Sequence, residues 1–148
     1  MEASFACSIS AAPNSLYTVI HYDRSFSDIR GHWAQDDIEL LASKLIAKGK
    51  TAARFAPDSA ITRAEFAAML ARTIALFGEP GAVKAAPAEQ FADYGRISAW
   101  ARKPIAQLLD ANIMKGMSTT SFGPKKPVPQ AQSPVALKRM LQYLNKMN

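Results

Sequence analysis

The residues best placed to do chemistry lie at positions 61–66, Ile-Thr-Arg-Ala-Glu-Phe. Thr62 can cap a helix with its hydroxyl, and Glu65, three positions on, can reach back to the Thr62 N–H. Arg63 is the odd member, because a cation in the first helical turn opposes the helix dipole. Beside the free N–H groups of a helix start it suits an anionic or polar ligand. The structural alternative is a surface Arg paired with Glu65 or another acid, an interaction of small worth. Capping alone accounts for Glu65. The chemistry on offer is therefore binding of a negative group. No nucleophile–base pair, phosphate loop or paired-carboxylate pocket stands out, so no enzyme activity and no cofactor are expected. His21 and His32 have no Cys or acidic cluster beside them, so no metal site is expected.

Bulk composition admits this reading without requiring it. The 148 residues suit one domain, or one domain with a tail; 49% are apolar and 20% charged, enough for a real core. A net charge of +6 favours acidic partners such as nucleic acid, anionic headgroups or acidic polysaccharide. The single cysteine, Cys7, excludes an internal disulfide and a cysteine-rich metal site. No apolar run reaches the roughly 18 residues of a membrane span, so no membrane insertion is expected. Residues 1–12 carry Glu2 where a signal peptide has basic residues, and their apolar core is short. The chain reads as cytoplasmic, or as a piece of a longer exported protein.

The elements that would hold Arg63 follow from periodicity and punctuation. Residues 1–15 read as a loop. Residues 16–22, rich in β-branched and aromatic types, read as one strand that must pair elsewhere. The N-terminal extended segment, 1–25, would then be the remnant of an upstream β domain. Residues 32–48 fit a helix, with Asp36 and Asp37 near its start, Lys44 and Lys48 near its end and Gly49 as the stop. Trp33, Ile38, Leu41 and Leu45 would share its buried face. A loop over 50–60 is anchored by Phe55. A second helix follows over 62–77, and residues 78–90, rich in Gly, Pro and Ala, form a linker.

The pattern then starts again. Counting from Trp33 and from Trp100, an Ile follows at +5 (Ile38, Ile105), a Gly at +16 (Gly49, Gly116) and a Phe at +22 (Phe55, Phe122). A Pro follows at +24 (Pro57, Pro124), a β-branched residue at +28 (Ile61, Val128) and an Arg at +39 (Arg72, Arg139). Phe26-Ser27-Asp28 is echoed by Phe91-Ala92-Asp93. The chain thus holds two helix–loop–helix copies about 67 residues apart, over 26–77 and 91–148, and the expected fold is an all-α bundle. The second copy is degenerate: Pro129, Gln130 and Gln132 stand where the first has Thr62, Arg63 and Glu65. Its last helix should start late, with Ser133 as cap and Pro134 first, since an interior proline costs roughly 3 kcal/mol. Pro104 is placed near a helix start by the same logic. Trp33 and Trp100 read as packing residues, and Asp28 and Asp93 as caps or turn formers. Because the second copy keeps the apolar skeleton without the Arg, Arg63 reads as dispensable to the fold.

Together, Phe26-x-Asp28, His32-Trp33-Ala34, Gly49, Phe55-x-Pro57 and the motif at 61–66 resemble the S-layer homology domain, strongly over 26–77 and weakly over 91–144. The resemblance implies non-covalent anchoring of a bacterial surface protein to the cell wall, and an extracellular place within a longer exported protein. The implied partner is an anionic secondary cell-wall polymer, often pyruvylated, bound in grooves between copies. The family pattern puts Arg63 on the ligand's acidic group, with Asp28, Trp33 and the Gly49 backbone shaping the site and Glu65 in the same motif. Such copies usually come in threes, so pairing with other copies or self-association is expected. The alternative is a degenerate module that is only structural or oligomerising. Lys125, Lys126, Lys138 and Arg139 give the second copy a basic character, but the connector is too long for a helix-turn-helix, so no nucleic-acid partner is expected.

Overall fold

The computed structural model describes residues 24–77 and 88–147. The strand expected over 16–22 and most of the expected linker lie outside the described residues. Four α-helices carry the rest: α1 (Gln35–Ser43), α2 (Arg63–Phe77), α3 (Ala99–Asp110) and α4 (Gln132–Met147), with a 3-10 turn at Tyr94–Arg96. The first two belong to the first copy and the last two to the second, so the fold is all-α as the repeat implied. A single antiparallel bridge among the described residues, Thr62 to Pro127, ties one copy to the other.

The ends of these helices show how far local signals reach. α2 starts on the expected capping box: the Thr62 N–H donates to Glu65 Oε2 at 2.9 Å, and the Glu65 N–H donates to the Thr62 hydroxyl at 3.3 Å. α1 is much shorter than 32–48. After Ser43 the chain makes a Schellman turn, in which the Leu45 N–H donates to the Ala42 carbonyl and the Ile46 N–H to the Leu41 carbonyl, both at 2.9 Å. The turn needs a positive φ, 60° at Leu45 and 55° at Asn112 in the second copy. Asn accepts that conformation readily, whereas Leu bears a cost of about 1–2 kcal/mol. No glycine marks this stop, and Gly49 lies beyond it in the loop. α4 begins at Gln132, two residues before Pro134, because a proline in the first turn removes an N–H that has no intrahelical partner anyway. Pro104 lies inside α3 rather than near its start. The hydrogen bond it removes would go to the carbonyl of Trp100, a residue that is itself 54% exposed.

Packing is uneven between the copies. α2 lies against both α3 and α4. Leu70 and Ile74 of α2, Ile105 and Leu108 of α3, and Met140 and Leu144 of α4 close one core over Phe91 and Phe122. A smaller cluster of Phe26, Ile29, Ile38 and Ala42 lies under α1, which packs on none of the other described helices. The expected α1 face is therefore only partly buried. Ile38 is inside, but Leu41 and Leu45 are exposed and Trp33 is 89% exposed. The packing role expected for both tryptophans is corrected: Phe26, Ile29 and Phe55 occupy the space under α1 and leave the Trp33 indole outside. The same asymmetry holds 67 residues on. Ala68, Leu70 and Ile74 are buried in α2, while their counterparts Val135, Leu137 and Leu141 in α4 are 43–58% exposed.

Candidate functional site

Among the described residues Arg63 is the largest fully buried side chain, only 1% exposed, and it is held by the second copy. Its Nε donates to the Phe122 carbonyl at 2.8 Å and its Nη2 to the Lys115 carbonyl at 2.6 Å, while Nη1 donates to Gln132 Oε1. The guanidinium also lies 4.7 Å from the Phe122 ring centre, a cation–π contact. The expectation that Arg63 is dispensable to the fold is overturned, because it pins the start of α2 to two points of the α3–α4 loop and to the first residue of α4 in the other copy. The backbone does the same: the Arg63 N–H donates to the Lys126 carbonyl at 2.9 Å and the Ala64 N–H to the Pro124 carbonyl at 3.0 Å.

Every direct acceptor around this guanidinium is neutral. Burial pushes its pKa below the ordinary arginine value, and the charge of Asp93 at longer range opposes that fall. A buried cation without a directly paired anion is costly. Arg63 also lines an open cleft of about 190 Å³ between the α2 start, α4 and the loop after α3. The cleft wall contains Arg63, Lys115 and Arg139 and no Asp or Glu, and Met114, Val128 and Val135 supply apolar surface. A mixed apolar and cationic wall of this kind fits a small organic anion.

Of the other residues expected at the site, Asp28, Trp33, Gly49 and Glu65, none lines this cleft. Asp28 clamps the first copy's loop, accepting from the N–H groups of Phe55 and Ala56 at 2.8 Å each. The Phe55 bond is the main reason its carboxyl lies below the ordinary value. Asp93 repeats the clamp, accepting from the N–H groups of Phe122 at 2.9 Å and Gly123 at 2.8 Å, and from the Ser121 hydroxyl at 2.9 Å. Burial alone would raise the Asp93 pKa, but these donors outweigh it and the value falls. Gly49 serves a close approach: a Cβ there would come within 2.5 Å of the Arg54 carbonyl oxygen and of the Phe26 ring. Glu65 takes Lys50 Nζ at 2.6 Å besides its cap. Trp33 stands on the surface with its ring 5.5 Å from that of His32.

The geometry explains why these residues are separated. Arg63 of one copy reaches into the next, so its neighbours are Gly116 and Gln132, the counterparts of Gly49 and Glu65. The 67-residue offset was the signal that could have found them. Among the described residues no cluster of His, Cys, Asp or Glu could hold a metal ion, and no helix is long and apolar enough to cross a membrane.

The comparisons agree with the repeat. The family model for the S-layer homology domain matches residues 25–67 and 90–132. An amylopullulanase of Thermoanaerobacterium thermosulfurigenes is 45% identical over 60 residues, 40% of this chain and 3% of that protein. A cellulosome-anchoring protein of Acetivibrio thermocellus is 40% identical over 80 residues, 54% of this chain and 17% of that protein. The surface-layer 125 kDa protein of Lysinibacillus sphaericus is 26% identical over 136 residues, 89% of this chain and 11% of that protein. The chain thus spans a small part of the length of the curated relatives it matches. No solved structure matches it significantly. With two matched copies covering more than half its length, the chain belongs to the S-layer homology domain family and so to the proteins of the bacterial cell surface.

Proposed function

We propose that the chain holds a bacterial surface protein to the cell wall by non-covalent binding of an anionic secondary wall polymer. The observation that carries this reading is the buried guanidinium of Arg63, paired only with neutral acceptors, at the wall of an acid-free cationic cleft. An acidic substituent on a sugar seated in that cleft, such as the carboxylate of a pyruvylated residue, would bring a negative charge close to the buried cation. Relatives named as a cellulosome-anchoring protein and a surface-layer protein support a wall-holding role. The exposed Trp33 offers an aromatic face to a sugar ring. Asp28, Gly49 and Glu65 contribute by holding the first copy's loop in shape. The chain acts by binding, without a catalytic step. Co-sedimentation with purified Gram-positive cell walls at low salt tests this: the chain is expected in the pellet, and a chain left in the supernatant overturns the reading.

The exposed faces favour self-association as part of the same function. α4 exposes Val135, Leu137 and Leu141 at positions that α2 buries, and α1 exposes Leu41 where α3 buries Leu108. These are two halves of an interface that the chain already forms once, between α2 and α3. A second copy would seat its α1 against α4 of the first, a head-to-tail contact. Light scattering over a dilution series should give a mass above one chain that falls on dilution and on Leu137→Asp. A monomer at every concentration overturns the contact.

A further inference from the structure

The degenerate second copy differs from the first in how its last helix meets the loop before it. In the first copy two latches close that seam. Lys50 Nζ pairs with Glu65 Oε1 at 2.6 Å, and Arg72 Nη1 donates to the Ile46 carbonyl at 3.1 Å. Sixty-seven residues on, the first latch is gone, because Met117 replaces Lys50 and Gln132 replaces Glu65. The second latch is open. Arg139 and Ile113 are both present, but Arg139 has no hydrogen-bond or ion-pair partner among the described residues and lies on the wall of the cleft. The cleft therefore occupies the place where the first copy is shut.

We propose that the loss of these latches makes the second copy a ligand site, in which Arg139 makes the direct contact to an oxyanion carried on a sugar. This rests on the wall-binding reading above and assigns its specificity. Arg63 is almost wholly covered and its bonds go to the protein, so it acts as a positioning residue: it fixes Gln132 and the loop at Lys115, and its charge favours an anion nearby. Arg139 is half-buried, unlatched and able to offer two parallel N–H groups to a carboxylate or phosphate. Val135 and Met114 provide the apolar surface for the sugar ring beside it. What looks like decay of the motif is then a change of task, from closing a seam to opening a site.

The test compares Arg139→Gln with Lys138→Gln, which removes the same charge from the neighbouring exposed position, in co-sedimentation with purified Gram-positive walls. Arg139→Gln should weaken binding about tenfold or more, the size expected for losing one charge-assisted contact. Lys138→Gln should stay within about twofold, and both variants should keep the wild-type thermal midpoint. Arg139→Lys should bind between wild type and Arg139→Gln. Pyruvate and inorganic phosphate, each at matched ionic strength, distinguish a carboxylate from a phosphate by which displaces the chain better. Wild-type binding by Arg139→Gln, equal losses in both Gln variants, or no displacement beyond that of chloride overturns the proposal while the wall-binding reading stands. A wild-type chain that does not pellet overturns both.

Discussion

Arg63→Ala is expected to cost about 3–5 kcal/mol of folding stability, the range for removing one partner of a buried charged network. The substitution strands the Phe122 and Lys115 carbonyls and the Gln132 amide, deletes the contact to the Phe122 ring and leaves a void between the copies. Urea unfolding would read the loss as a lower midpoint. Arg63→Lys should recover less than half of it, because one ammonium cannot reach three acceptors spread across a planar fork. A loss below about 1 kcal/mol would show that the seam holds without Arg63. Loss of wall binding in Arg63→Ala would not by itself separate a broken fold from a missing contact, which is why Arg139 carries the binding test.

Asp93 gives the second large effect. Its carboxylate takes three donors that shape the loop beneath Phe122, the same residue whose carbonyl and ring hold Arg63. Asp93→Ala should cost about 2 kcal/mol, after allowance for the partial exposure of the carboxylate. The acid dependence follows from the direction of the shifts. Asp28 and Asp93 both lie below the ordinary carboxylate value in the fold. The stability they supply is therefore complete above the unfolded carboxylate pKa and is lost as pH falls through the depressed folded values, that is, below about pH 4. Thermal midpoints followed from neutral to acid should fall in that window for the wild type and fall less steeply for Asp93→Asn. Parallel acid limbs in the two proteins would contradict the clamp.

These particular residues mark what the sequence could show. The capping box at Thr62 and Glu65 was legible because both partners sit within one turn. The two copies were legible because apolar and glycine positions recur at one spacing. The end of α1 was hidden, because a Leu at positive φ imitates no stop signal. The exposure of Trp33 was hidden as well, because it depends on whether another helix covers α1, and that lies outside any local window. The resemblance sets the ligand in grooves between copies but names Asp28, Trp33, Gly49 and Glu65, all of the first copy, beside Arg63. The arginine crosses to the next copy, so its partners are Gly116 and Gln132. Arg139 was visible only as an echo of Arg72, and its changed role emerges from the loss of Lys50 and Glu65 at the corresponding positions.

The most direct measurement is co-sedimentation at low salt with two preparations of the same walls, one intact and one acid-extracted to remove the secondary polymer. The chain is expected to pellet with intact walls and to remain in solution with extracted ones. Equal pelleting with both, or none with either, would contradict it.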